Sequence, residues 1–219
     1  MNLRSLLSPQ TYLRSWMSIA VGTALLSVSC LLGPNLALSP LHAQDSNPRD
    51  HIPAGWLLAG DQPANYRAGT DKAVIRDGLP SAFLHSAVTD TGGFGTLMQS
   101  IDSSRFAGKR VRLRAWVKSQ DVRQWAGVWM RVDKQQTVIA FDNMQDRPIT
   151  GTQSWGMHDV VLDVPADATS ISFGVLLAGA GQVWMNHVTF EEVGENIPIT
   201  HELPSRKLTL VPVNLDFSE

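Results

Sequence analysis

GKRVRLRAWVKSQDVRQWAGVWMRVDKQQTVIAFDN, residues 108–143, is the stretch that decides the fold. In its first third Val111, Leu113, Ala115 and Val117 alternate with Arg112, Arg114, Trp116 and Lys118, which is the period of a half-buried strand. In its middle Ala126, Val128, Met130 and Val132 alternate in the same way with Trp125, Gly127, Trp129 and Arg131. Val138 to Phe141 adds a further short run, so the stretch predicts three consecutive strands, each with one core face and one outward face. Trp125, Trp129 and Arg131 share a face. Indoles beside charged and amide groups suit a polar ligand with apolar faces, such as a sugar.

Outward from this stretch the pattern continues. Turn signals recur at Gly69-Thr70-Asp71, Asp77-Gly78, Thr91-Gly92-Gly93, Asp133-Lys134, Thr150-Gly151, Asp167-Ala168 and Gly179-Ala180-Gly181. The runs between them are rich in valine, isoleucine, phenylalanine and tryptophan and too short for ordinary helices. Ile171, Phe173, Val175 and Leu177 form another inward row, and the alternation of Leu97, Gln99 and Ile101 makes Thr96 to Ser104 a strand. Regularly spaced short strands without a 3.6-residue stripe predict an all-β chain, an antiparallel β-sandwich of jelly-roll type.

The N-terminus has a different character. Arg4 and Arg14 are the only charged side chains before Asp45, an apolar stretch runs from Met17 to Leu38, and Leu41-His42-Ala43 ends in a small residue. This is the layout of a secretory signal over 1–43, cleaved after Ala43. An uncleaved anchor competes, with Gly33, Pro34 and Pro40 interrupting its span. Lipid attachment at Cys30 competes as well, but the preceding Ser27-Val28-Ser29 lacks the usual leucine. Removing residues 1–43 takes away two arginines and no acid, moving the formal charge from −2 to −4. That balance excludes the basic excess of a nucleic-acid binder. The only cysteine leaves with the leader, so a mature exported chain has no disulfide and no thiol chemistry.

The succession Ala54-Gly55-Trp56, Gly92-Gly93-Phe94-Gly95-Thr96-Leu97-Met98-Gln99, Trp125-Ala126-Gly127-Val128-Trp129-Met130-Arg131, Phe141-Asp142-Asn143-Met144, Arg147-Pro148-Ile149 and Gly181-Gln182-Val183-Trp184 resembles a bacterial jelly-roll module. That module occurs alone, fused to AraC-type regulators, or ahead of tail-specific serine peptidase domains. The resemblance implies a fold like that of galactose-binding-like and carbohydrate-binding modules, and it brings no ligand with it. Asn186-His187 stands where such modules often have an acidic pair, which counts against a structural calcium because hard cations favour carboxylates.

These readings divide the chain into a signal peptide (1–43), a tether (44–53), a jelly-roll domain (54–193), a surface excursion (194–211) and a C-terminal segment (212–219). The last, beginning Pro212-Val213-Asn214-Leu215-Asp216-Phe217, is similar to the short segment that opens many such sandwiches. It is expected to dock as a strand completing the sandwich, either in its own molecule or in a strand-swapped dimer.

The candidate ligand-binding residues are Trp125, Trp129, Arg131, Asp142, Asn143 and Gln99, with Gly127 as the floor of a groove between the indoles. Each has a structural alternative: the indoles covering the sandwich, Arg131 paired with Asp133 or Asp142, and Asp142-Asn143 forming a turn. No His-Glu-x-x-His, Gly-x-Ser-x-Gly or cysteine pair is present, and no metal ligand set or cofactor site is read. A glycosidase dyad using Asp142 with Asp146 or Asp133 is the weakest reading. The sequence thus points to an exported, periplasmic or secreted, non-catalytic module for a carbohydrate or cell-wall glycan. The runner-up is a cell-envelope module that docks a protein. Nucleic acid is excluded as a partner, and so is the membrane once the signal is removed.

Overall fold

In the computed structural model, which describes residues 51–89 and 92–201, the first two strands expected between 108 and 143 are one. Strand β5 runs unbroken over Lys109–Lys134, 26 residues, and only the third expected strand, β6 (Thr137–Asp142), is separate. The reason is visible in the alternation. Inward residues are odd-numbered from Val111 to Val117 and even-numbered from Ala126 to Val132, so the strand changes parity midway. It does so through three register shifts against its neighbour between Val117 and Ala126, with Asp121 in the left-handed region at φ 53°. Such irregularities bend a strand and raise its twist, which lets β5 continue from one layer into the other.

The remaining strands are β1 (Leu57–Gly60), β2 (Tyr66–Arg76), β3 (Leu79–Ser86), β4 (Phe94–Asp102), β7 (Ile149–Val164), β8 (Ser170–Ala178) and β9 (Gln182–Val193), all paired antiparallel. The first part of β5 lies between β7 and β9, giving a layer in the order β7-β5-β9-β3-β2. The second part lies between β6 and β8, giving β6-β5-β8-β4-β1. The two layers form an antiparallel β-sandwich of jelly-roll type.

The main core lies between the layers. Val111, Leu113, Ala115 and Val117 of the first layer and Val128, Met130, Ile171, Phe173, Val175 and Leu177 of the second all belong to it. Leu97 of β4 joins them and the inward row at 171–177 holds; the strand expected over 96–104 runs from Phe94 to Asp102 and gives way to a 3-10 turn at Ser104–Phe106. Trp56, at the entry to β1, closes one end with its ring edge on Phe173, centroids 6.0 Å apart.

After β9 the chain crosses the edge of the first layer. Arg110 Nη1 donates to the carbonyls of Glu195 and Ile197, and the Thr200 backbone N–H donates to Val161 O at 3.0 Å. The expected signal peptide and most of the expected tether at one end, and the C-terminal segment expected to dock as a strand at the other, lie outside the described residues.

Candidate functional site

The six residues singled out from sequence do not form an open groove. Trp129 is on the outer face of the second layer but is completely buried, at 0% exposure, in a second apolar cluster with Ala59, Phe94, Met98, Phe141, Leu176 and Ala178. Its indole Nε1 donates to Thr96 Oγ1 at 2.7 Å, and that hydroxyl donates to Val175 O. The expected groove floor is filled too: a Cβ at Gly127 would stand 2.6 Å from Asn143 O, so the segment after β6 lies directly against the glycine. Trp125 is half-buried against the same cluster. The alternation placed these side chains opposite the main core correctly, but an outward sheet face is not necessarily a wet one.

The polar members have structural partners. Arg131 Nε donates to Asp133 Oδ2 at 2.9 Å; burial pushes the Asp133 carboxyl up, against the opposing pull of Arg131. Asp142, 2% exposed, accepts from Arg147 Nη2 at 2.6 Å, from the Met144 backbone N–H at 2.8 Å and from Thr200 Oγ1. Asn143 Oδ1 accepts from the Gln145 N–H, and Gln99 Nε2 donates to Gly55 O. Asp142 and Asn143 therefore organise the β6–β7 connection. Asp142 and Asp146, the pair considered for a glycosidase dyad, are both bound to the same arginine, Arg147.

Beneath that connection, half-buried His158 has its pKa lowered, first by burial and then by the charge of Arg147. The unfolded chain therefore takes up the proton more readily than the fold does. Stability present above pH 6.5, the ordinary value, is lost as pH falls through 6.5 toward the lowered folded value. Denaturation midpoints measured across this window are expected to fall on acidification, and to fall less in His158→Gln. An unchanged pH slope in that variant would remove His158 from the account.

The opposite outer face, on the β7-β5-β9-β3-β2 layer, gathers aromatic rings of a different kind. Lys118 pairs in register with Trp184, Trp184 with Phe83, and Trp116 with both Asn186 and Met157. The Arg76 guanidinium lies 3.7 Å from the centre of the Trp116 ring and 5.9 Å from that of Trp155. Lys118 Nζ stands 5.2 Å over the Trp184 ring, whose Nε1 donates to Asp71 Oδ2 at 3.0 Å. Trp184 and Phe83 are buried under these neighbours, while Trp116 and Trp155 are half-buried and Met157 is exposed. Asn186 Nδ2 donates to Ser81 Oγ and to the Leu79 and Pro80 carbonyls, fixing the β2–β3 hairpin whose end carries Arg76.

This face brings together Trp116, Trp155, Trp184, Arg76, Lys118 and Asp71. Sequence alternation had already turned Trp116 and Lys118 outward on β5. The missing step was the register that sets Trp155 of β7 and Trp184 of β9 on either side of them, together with Arg76, which arrives from the end of a distant hairpin. Among the described residues no group of three or more His, Cys, Asp or Glu side chains is placed to hold a metal ion.

No family model matches the chain. Over 168 residues it is 47% identical to an uncharacterised HTH-type transcriptional regulator, YbfP, of Bacillus subtilis (strain 168). The match covers 75% of this chain and 57% of the regulator, so the chain spans little more than half of that relative. Among solved structures it is similar to the enzymatically active domain of tailspike protein 4 of bacteriophage CBA120, with 18% identity and a TM-score of 0.50 over 68% of this chain and 21% of that one. It is also similar to the CBM22-1 xylan-binding domain of Xyn10C from Paenibacillus barcinonensis, with 10% identity and a TM-score of 0.48 over 66% of this chain and 90% of that one. These are likenesses of fold.

Proposed function

We propose that the chain is an exported, non-catalytic binding module for a glycan, held on the outer face of the β7-β5-β9-β3-β2 layer rather than on the Trp129 face. The observation that carries this reading is the meeting of half-buried Trp116 and Trp155 with Arg76 and Lys118 on one sheet face. Partly exposed indoles offer apolar surface to a sugar ring at low entropic cost, and the surrounding charged groups suit its hydroxyls. Asp142, the acid considered for catalysis, is occupied in holding a loop.

The test is retention of the folded protein on a panel of immobilised polysaccharides, with Trp155→Ala as the diagnostic variant. Its half-buried indole should be removable at a stability cost under about 1 kcal/mol, while retention weakens by about tenfold or more. A protein partner is the second reading, favoured by exposed Ile75, Leu79 and Met157 near the same face. Retention on no glycan, together with a cross-linked protein lost in Trp155→Ala, would replace the first reading by the second.

A further inference from the structure

The outward row of β5 carries a regular charge pattern that stops at the candidate site. Arg110 pairs with Asp163 at 2.7 Å, Arg112 with Glu191 at 2.6 Å and Arg114 with Asp159 at 2.6 Å, each arginine meeting a carboxylate from a neighbouring strand. Two positions further on, beyond Trp116, the row ends in Lys118. Among the described residues this ammonium has no carboxylate partner; its contact is the Trp184 ring. Arg76, on the Trp116 ring, has a buried Nε without a hydrogen bond, and its Nη2 is 3.5 Å from the exposed carboxylate of Asp77. Asp71 is committed elsewhere, accepting from Trp184 through Oδ2 and from the Ala73 and Val74 N–H groups through Oδ1.

We infer that the ligand supplies the missing negative charge: the glycan is acidic, with uronic-acid carboxylates that pair with Lys118 and Arg76 while a sugar ring lies against Trp155. This inference rests on the reading of that face as a glycan site. A cation held over an indole is partly stripped of water, and a neutral sugar would cover it without compensating its charge. A carboxylate restores the pairing that each arginine of the row already has, through charge-assisted hydrogen bonds.

The full chain is applied to polygalacturonate, alginate and glucuronoxylan, each beside the same polymer with its carboxylates reduced to alcohols. At least one acidic polymer should be retained about tenfold more strongly than its reduced form, a preference that added salt weakens. Lys118→Gln should lose that preference and Lys118→Arg should keep it, with unchanged circular dichroism in both. Equal retention of acidic and reduced polymers would overturn the inference and leave the glycan site standing. Retention of neither would overturn both.

Discussion

Trp129→Ala is expected to lower the unfolding free energy by about 3–5 kcal/mol, the range for removing a fully buried aromatic side chain. The indole is 0% exposed, packs with Phe94, Met98, Phe141 and Leu176, and spends its only polar hydrogen on Thr96 Oγ1. Truncation leaves a cavity on the outer side of the second layer, facing β8 at Gly174, which pairs with Trp129 in register and has no side chain to move into it. Trp129→Phe should recover much of the loss and retain the deficit of one hydrogen bond, about 1 kcal/mol. Urea denaturation read by far-ultraviolet circular dichroism measures both. The result should contrast with Trp155→Ala, which is expected to affect retention and barely affect stability. A stable Trp129→Ala protein that no longer holds any glycan would restore the groove between Trp125 and Trp129.

The inward rows were legible because burial on one side of a sheet imposes a period of two, and the period survives in the sequence wherever the strand is regular. Val111 to Val117, Val128 to Val132 and Ile171 to Leu177 all face the core as their alternation requires. The bend in β5 was not legible as a bend. Between Val117 and Ala126 the alternation changes phase, and a change of phase reads as two strands separated by a loop unless neighbouring strands are known to bridge it. Here β7 bridges it, from Lys109↔Val164 to Ala126↔Ile149.

The site was less legible for a related reason. Local alternation tells which residues leave the main core, but it does not tell which outward face meets water. Trp125, Trp129 and Trp116 all point outward by this rule, and only tertiary packing separates the buried Trp129 from the half-buried Trp116. Composition does hold one hint. The Trp129 face continues across β8 and β4 through Leu176, Ala178, Phe94 and Met98, whereas the Trp116 face continues through Asn186, Ser81 and Asp71. Once the register is known, the first sequence of neighbours describes a second apolar core, and the second describes a polar face on which Ser81 and Asn186 are themselves buried.

Asp142→Ala should be the most damaging substitution among the polar candidates, at about 2–4 kcal/mol, because one buried carboxylate joins the β6–β7 connection to the chain beyond β9. It holds Arg147 through two contacts, 2.6 and 3.2 Å, accepts the N–H of Met144, which sits in the left-handed region at φ 61°, and receives the Thr200 hydroxyl from the chain beyond β9. The loss should fall short of the full cost of stranding a buried ion, since the Arg147 side chain is 33% exposed and can turn to water. Asp142→Asn separates the contributions. Its amide oxygen can still accept the Met144 N–H and so keep the turn, while the ionic part of the Arg147 contact is gone, and an intermediate loss is expected. If Asn is as stable as the native residue, the ion pair contributes nothing and the turn alone explains the burial. If Asn and Ala are equally damaging, the charge is what holds the β6–β7 connection to Thr200. Hydrogen exchange at Met144 and Thr200 would then rise together, because a single carboxylate fixes both.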